Sequence, residues 1–186
     1  FPEFIPKTLI TEDASLIKSF FLEHQDIVLK PLYSFAGDDV IRLNNKINAE
    51  PIIELMLSKH NCPIISQKFC SNISEDKRII VLDGKPLSAM RRKVISNDEI
   101  RTNLRFNSII EKVDFSEKDY ELCATVGPKL SELGLVFAGI DLLGDMMLEI
   151  NVTSPTGMRQ MNRLYHKNLE EKCWDVFEQK FYESKK

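Results

Sequence analysis

Three oxygen-bearing side chains in the last third of the sequence have the spacing of a site for a hard metal cation. Glu149 and Asn151 flank Ile150 in an alternation typical of a β-strand, so both side chains point to one face. Asp141 precedes them near the turn end of a partner strand and can face the same way. Carboxylate and amide oxygens at a strand end form an open magnesium site that leaves room for phosphate oxygens. A solvated acidic hairpin is the alternative interpretation.

Basic side chains could bind an anion, such as a phosphate group, that coordinates this metal. Arg78 and Arg92 fall on the two strands of a predicted hairpin, and Arg101 follows in a polar segment. Guanidinium groups bind carboxylate or phosphate in a bidentate way and stabilise charge that develops during group transfer. A solvated basic face explains the run Arg91-Arg92-Lys93 equally well. Lys30 ends an apolar strand and can reach a phosphate, although a lysine there is more often a plain surface charge.

The sequence shows no set of residues arranged for nucleophilic catalysis. The three histidines lie in or beside predicted helices, where we expect them at the surface: His24, His60 and His166. There is no Ser-His-Asp or Cys-His arrangement, which favours chemistry driven by a metal and arginines. The cysteines show no metal-ligand spacing and indicate reduced, mostly buried thiols in a cytosolic protein. They are Cys62, Cys70, Cys123 and Cys173.

The composition is that of a globular protein without a general affinity for polyanions. A length of 186 residues suits one large domain or two small subdomains. The net charge of −3 gives no electrostatic attraction to nucleic acid or a membrane surface. No apolar run approaches the roughly 20 residues that cross a bilayer. Because the chain begins with Phe1 and not Met, we expect a fragment of a longer protein.

Helices and short strands must position these residues. Helical spacing predicts helices after an N-cap at Thr11 or Asp13, from Pro51 to about His60, from Glu117 to Leu133, at Met158–Leu164 and at Asn168–Phe181. The predicted strands are Asp26–Lys30, Asp39–Leu43, Pro63–Phe69, Arg78–Leu82, Pro86–Arg92, Leu135–Leu142 and Met146–Asn151. The order predicts an α+β fold with a mixed sheet flanked by helices.

Local signals add detail to this outline. Asp83-Gly84 predicts a type I′ turn, and Ser116 with Asp119 predicts a helix start. Pro128 should kink or interrupt the helix that follows. The remaining expectations are an extended strap at Phe1–Leu9, an ordinary turn at Tyr33–Asp39, a polar loop at Ile95–Ser108 that acts as a mobile lid, and inward-facing Ile52, Ile53, Leu55 and Met56.

Short motifs follow one another in an order that is typical of one enzyme family. The most specific is Glu149-Ile150-Asn151-Val152-Thr153-Ser154-Pro155-Thr156. The weaker ones are Val28-Leu29-Lys30-Pro31-Leu32, Asp76-Lys77-Arg78, Asp83-Gly84-Lys85-Pro86, Arg101-Thr102-Asn103 and Gly139-Ile140-Asp141. Together they make essentially the whole chain resemble the ATP-grasp portion of the bacterial glutathione synthetases, without their N-terminal domain.

The resemblance implies an ATP-grasp fold, in which two α+β subdomains with mixed or antiparallel sheets enclose a nucleotide cleft. Residues 1–72 would form the small subdomain with the lid and the adenine-side strands. Residues 73–186 would form the large one with the metal and substrate site. The implied enzyme is a cytoplasmic ligase, commonly built of several subunits. ATP phosphorylates the cysteinyl carboxylate of γ-glutamylcysteine, and the glycine amine then displaces phosphate to give glutathione.

The resemblance also implies roles for single residues. The nucleotide would be bound by Lys30, Gly37, Gln67, Lys68, Phe69, Cys70 and, near the ribose, Asp76. Magnesium, or manganese in its place, would be held by Asp141, Glu149 and Asn151. The transferring phosphoryl group would be stabilised by Arg78, Arg92 and Arg101, with Asn103 beside them. The peptide substrate would be held by Ser154, Thr156 and Arg159.

Two alternatives stay open at the level of the sequence. Ser34, Phe35 and Ala36 stand where the family loop is rich in glycine, so the chain could be a degenerate ATP-grasp module that binds nucleotide or a partner without efficient catalysis. A ligase of the same fold that joins another acid and amine is the second alternative.

Overall fold

The computed structural model describes residues 1–33, 39–45, 47–70, 75–93 and 109–185. The chain divides into two compact units. One comprises Pro2 and Phe4–Asn72 and is called the N-terminal unit below. The other comprises Phe1, Glu3 and Ile73–Lys186 and is called the C-terminal unit.

The N-terminal unit is an antiparallel four-stranded sheet with two helices. Its elements are β1 (Thr8–Thr11), α1 (Ala14–His24), β2 (Asp26–Pro31), β3 (Ile41–Asn44), α2 (Ala49–His60) and β4 (Ile64–Lys68). The strands lie in the order β1-β4-β2-β3. Asp13 caps α1 by accepting from the backbone N–H groups of Ser15 and Leu16, as one of the two predicted caps.

The core of this unit follows from the periodicity of apolar residues in its helices and in its strands. Alternate residues of β2, Ile27 and Leu29, pack with Ile17 of α1 and Ile53 of α2. The other residues of the strands therefore point to the opposite face of the sheet. Ile53 and Met56 are buried as predicted, but Leu55 is 59% exposed, so its predicted inward position is wrong.

The C-terminal unit is an antiparallel five-stranded sheet in the order β7-β6-β5-β8-β9. Its elements are β5 (Glu75–Leu82), β6 (Lys85–Lys93), β7 (Ile109–Lys112), α3 (Glu117–Glu132), β8 (Phe137–Leu143), β9 (Met146–Asn151), α4 (Met158–Tyr165) and α5 (Leu169–Glu183). On one sheet face Ile80 and Met90 pack against Met161 of α4 and Leu169 of α5. On the other face Lys77 pairs with Asp119 of α3.

Several local predictions are confirmed in this unit. Asp83 and Gly84 both have positive φ, 47° and 72°, as a type I′ turn requires. Ser116 and Asp119 form a full capping box. The helix continues through Pro128, so Pro128 does not interrupt it, and the predicted alternative of a kink stays a prediction. Gly127 permits its close approach to the hairpin, since a Cβ there would lie 2.0 Å from the carbonyl oxygen of Gly84.

Other expectations need correction. The predicted strap Phe1–Leu9 contains turns and then enters β1. His24 and His60 are half-buried and not at the surface, whereas His166 is exposed as predicted. The loop at Ile95–Ser108 and most of the turn after Tyr33 lie outside the described residues. The mixed sheet that the order of elements predicted is wrong, because both described sheets are antiparallel, whereas the predicted α+β class is confirmed. None of the described helices is long and apolar enough to cross a membrane.

Candidate active site

The three predicted metal ligands lie on one face of the C-terminal sheet. Asp141 stands directly opposite Glu149 in the β8–β9 register, and Asn151 follows on the same face opposite Gly139. The register shifts immediately after Asp141. This irregularity lies next to the carboxylate pair, a position where β-bulges often re-aim a side chain.

Arg78 connects this carboxylate to the segment that follows β9. Its Nη2 donates to Asp141 Oδ2 at 2.6 Å, and its Nε donates to Oδ1 of the same carboxylate. Its Nη1 donates to the carbonyl oxygen of Thr156 at 3.0 Å. One guanidinium group thus positions a predicted metal ligand and the predicted substrate segment together.

Arg92 extends the network to a second aspartate. Its Nε donates to Asp76 Oδ1 at 2.6 Å, and its Nη2 donates to Asp76 Oδ2. The same Nη2 lies 3.1 Å from Asp141 Oδ2. Arg78, Arg92, Asp76 and Asp141 are each 4–5% exposed. Positive and negative charges alternate along the network, which is the arrangement that makes buried charges tolerable.

The network keeps Asp141 in its ionised form. Burial acts to raise the pKa of Asp141, but hydrogen bonds and charges from Arg78 and Arg92 outweigh burial and lower it. Burial acts to lower the pKa of Arg92, while Asp76 and Asp141 raise it above its usual value. Asp141 therefore presents a carboxylate, and not a carboxylic acid, at neutral pH.

Glu149 behaves in the opposite way. Its side chain reaches solvent, yet partial desolvation by surrounding atoms and the charge of Asp141 raise its pKa. Asn151 opposes this effect by donating from Nδ2 to Glu149 Oε1 at 3.0 Å. Two facing carboxyl groups that repel each other are stabilised when a divalent cation lies between their oxygens.

The residues present fit a magnesium ion. The donor set consists of oxygen atoms from two carboxylates and one amide, the ligand type that Mg²⁺ prefers. Among the described residues there is no group of three or more His, Cys, Asp or Glu side chains that could hold a metal. Because the set has only three side chains, a metal bound by it would complete its coordination with water or phosphate oxygens.

Two glycines let the segment after β9 lie close to this face. A Cβ on Gly139 would lie 2.8 Å from Cβ of Pro155 and 3.3 Å from Cδ of Arg78. Gly157 has φ +115° and would bring a Cβ to 2.6 Å from Cε of Met90. The segment is thus held beside Arg78, while the side chains predicted to bind substrate are exposed: Ser154, Thr156 and, on α4, Arg159.

The predicted nucleotide residues of the N-terminal unit form a second polar cluster. Lys30 donates from Nζ to Gln67 Oε1 at 2.9 Å, on the sheet face opposite the core. Lys68 is exposed, and Phe69 lies under the guanidinium group of Arg42 at 3.7 Å from the ring centroid. Burial raises the pKa of the Cys70 thiol, partly offset by nearby Lys30 and Lys68.

Thr8 and Arg42 take part in this cluster and were not predicted. Gln67 donates to Thr8, and Arg42 forms a bidentate pair with Asp26. Neither stands in a recognised motif, and only the strand pairing brings them there. The buried carboxylate of Asp76 binds Arg92. Its predicted contact with the ribose stays a prediction. Gly37, Arg101 and Asn103 lie outside the described residues.

Comparisons with known proteins place this geometry in a family. The family model described as "Prokaryotic glutathione synthetase, ATP-grasp domain" matches residues 1–166. A glutathione synthetase of Anaplasma centrale is 46% identical over 178 residues, covering 96% of this chain and 58% of that protein. One of Brucella melitensis biotype 1 is 38% identical over 180 residues, covering 96% and 57%. The chain thus spans less than two thirds of these relatives.

Solved structures show the same fold at low sequence identity. The ATP-grasp ligase PsnB, in complex with a minimal precursor, Mg and ADP, has a TM-score of 0.66 at 21% identity. That alignment covers 94% of this chain and 53% of PsnB. The D-alanine–D-alanine ligase of Bacillus anthracis has a TM-score of 0.56 at 15% identity, covering 80% and 51%. The described fold is therefore an ATP-grasp fold.

Proposed function

Because the chain belongs to the family of prokaryotic glutathione synthetase ATP-grasp domains, we propose that it binds ATP and magnesium for the ligation of γ-glutamylcysteine to glycine. The observation that carries the proposal is the sheet face on which Asp141, Glu149 and Asn151 meet the arginine network. Positioning and electrostatic stabilisation dominate phosphoryl transfer, and this face offers both. The degenerate module that the sequence left open is not favoured.

The C-terminal unit supplies the metal ligands of this proposal. Asp141, Glu149 and Asn151 would hold Mg²⁺, and Mn²⁺ would replace it because both prefer oxygen ligands. The metal, when bound, would neutralise phosphate charge. Arg78 and Arg92 hold Asp141 ionised and in place. Ser154, Thr156 and Arg159 would contact the peptide, with the segment fixed by the bond from Arg78 to Thr156. Together with Arg101 and Asn103, Arg78 and Arg92 would also stabilise the transferring phosphoryl group.

The N-terminal unit supplies the nucleotide contacts. Lys30 and the backbone of Gly37 would bind phosphate, and the strand from Gln67 to Cys70 would border the adenine. The exposed Lys68 and half-buried Phe69 lie at the end of β4, where a planar base could stack. Free cysteines at all four positions agree with the cytosolic location that we also propose.

Nucleotide and metal binding are tested by thermal denaturation of the chain. An excess of about 100 times Kd stabilises a protein by roughly 2.7 kcal/mol. For a domain of this size that corresponds to a rise in Tm of about 5–10 °C. We expect this rise with Mg²⁺ and ADP together, and its loss in Glu149→Gln. A rise that is equal in Glu149→Gln contradicts the metal assignment, and no rise in the parent contradicts nucleotide binding.

The substrate assignment needs a separate experiment. Phosphate release from ATP in the presence of γ-glutamylcysteine is measured with glycine and with competing amino acids. We expect glycine to be preferred. Equal rates with other amines would favour a ligase of the same fold with a different acceptor.

A further inference from the structure

A chain of three hydrogen bonds links β1 to the lysine that is proposed to bind phosphate. Thr8 Oγ1 donates to the carbonyl oxygen of Pro6 at 2.7 Å. Gln67 Nε2 donates to Thr8 Oγ1 at 2.9 Å, and Lys30 Nζ donates to Gln67 Oε1 at 2.9 Å. The three side chains come from β1, β4 and β2, which are adjacent in the sheet.

The direction of every bond in this chain follows from its first member. The carbonyl group of Pro6 can only accept, so the hydroxyl of Thr8 must donate to it. The oxygen of Thr8 is then left to accept, which turns the NH₂ group of Gln67 towards Thr8. The amide oxygen consequently faces the ammonium group of Lys30, which can only donate.

The environment holds this arrangement in place. Gln67 is 6% exposed, so its amide has little water with which to exchange partners. Thr8 stands directly opposite Gln67 in the β1–β4 register, and the facing side chains are within reach without strain. A neutral amide also orients Lys30 without cancelling its charge, whereas a carboxylate in its place would neutralise the ammonium group.

We propose that Thr8 and Gln67 are positioning residues, which hold the ammonium group of Lys30 in the orientation that meets a nucleotide phosphate. This inference rests on the proposed function of Lys30 as a phosphate ligand. It assigns Gln67 a side-chain role in addition to the backbone role proposed for its strand. It also assigns Thr8 a role that no sequence motif indicated.

The first experiment compares nucleotides that differ in phosphate content. Thr8→Val removes the hydroxyl and keeps the shape, and we expect about tenfold weaker binding of Mg²⁺–ADP with unchanged binding of adenosine. Thr8→Ser restores the hydroxyl and should restore affinity. Thr11→Val on the same strand is the matched control, because the hydroxyl of Thr11 accepts only from the backbone of Asp13 among the described contacts.

A double-mutant cycle separates positioning of Lys30 from general support of the sheet. In a Lys30→Met background, Thr8→Val should change ADP affinity by less than about twofold. Equal ADP affinity in Thr8→Val and the parent overturns the proposal. An undiminished effect of Thr8→Val in the Lys30→Met background, or an equal loss of adenosine binding, overturns it as well.

A second experiment needs no nucleotide and so remains decisive if the proposed function fails. The rate at which a mild amine-acylating reagent modifies Lys30 is measured by peptide mass spectrometry. Loss of the hydrogen-bond chain should raise this rate several-fold in Thr8→Val and not in Thr11→Val. An unchanged rate at Lys30 overturns the positioning proposal. Failure of the parent to bind ADP, with a raised rate in Thr8→Val, overturns only the phosphate role.

Discussion

Two arginine–aspartate pairs of nearly the same geometry stand in very different surroundings. In the N-terminal unit Arg42 donates to Asp26 at 2.9 and 2.6 Å, and the side chains are 34% and 31% exposed. In the C-terminal unit Arg92 binds Asp76 in the same bidentate way, but both side chains are 4% exposed. The first pair is screened by water, whereas the second depends on its partners for all its solvation.

The two units differ in how far the charged side chains near their candidate sites are buried. In the N-terminal unit the Arg42–Asp26 pair is partly exposed, and Lys30 donates to the neutral amide of Gln67. The C-terminal unit buries a network in which Arg78 and Arg92 compensate Asp76 and Asp141. A buried compensated network fixes geometry tightly, but removal of a single member leaves an unpaired charge in a poor solvent.

The largest expected effect on stability comes from removing the arginine of each pair, in two separate variants. Arg92→Met leaves Asp76 and Asp141 without a shared buried partner and should reduce the free energy of unfolding by about 3–5 kcal/mol. Arg42→Met, the matched control, should reduce it by about 1 kcal/mol, with a further part from lost stacking on Phe69. Urea denaturation measures both. Equal losses would mean that burial does not distinguish the pairs.

An intermediate effect is expected from crowding Arg78 without removing any charge. Gly139→Ala places a methyl group against Pro155 and Arg78, so the segment after β9 must shift. Such overpacking costs about 1–3 kcal/mol. Urea denaturation gives the loss, and hydrogen exchange of residues 152–157 should rise with it. Unchanged exchange would show that the segment does not depend on its close approach to Gly139.

A smaller effect of opposite sign is expected at Glu149. The folded state raises the pKa of Glu149, so its ionisation destabilises the fold, and this penalty appears as pH rises above about 4.5. Glu149→Gln should therefore stabilise the metal-free chain at pH 7 by less than about 1 kcal/mol, since the group reaches solvent. At pH 3 the difference should shrink, because the carboxyl group is then protonated in both states.

Asp141 provides the contrasting pH dependence. Its pKa is lowered on folding, so it adds stability that is present above its usual pKa and is lost as pH falls below it. Thermal denaturation from pH 3 to pH 7 tests both residues. A Glu149→Gln variant that is less stable than the parent at pH 7 without metal would contradict the repulsion between Glu149 and Asp141.

The smallest effect concerns a hydroxyl that has no partner in the described part of the chain. Ser66 is fully buried on β4, and its Oγ makes no hydrogen bond there. Ser66→Ala should leave stability unchanged or raise it by up to about 1 kcal/mol. Urea denaturation checks this. A loss above that size would reveal a partner for Ser66 and weaken the contrast with the fully paired network around Arg92.

Much of the outline was accessible from the sequence because its signals are local. The cap at Asp13, the turn at Asp83-Gly84 and the capping box at Ser116 depend on residues a few positions apart. The prediction that Leu55 faces inward was wrong because helical spacing places this residue beside the buried stripe of its helix, and only tertiary packing defines the width of that stripe. The half-buried position of His60 is likewise a tertiary property, since its Nε2 lies 3.4 Å from the carboxylate of Asp39, twenty-one positions away in the sequence.

The sequence alone determined the family, the α+β class and the shared face of Glu149 and Asn151, because motif order and strand alternation are properties of short segments. Tertiary structure alone decided that Arg78 binds both Asp141 and Thr156, that Asp76 is held by Arg92, and that Thr8 reaches Gln67. Those contacts depend on which strands pair and in what register. Between strands that are far apart in the sequence, register is set by the burial of whole sheet faces, which the pattern of one short segment does not specify.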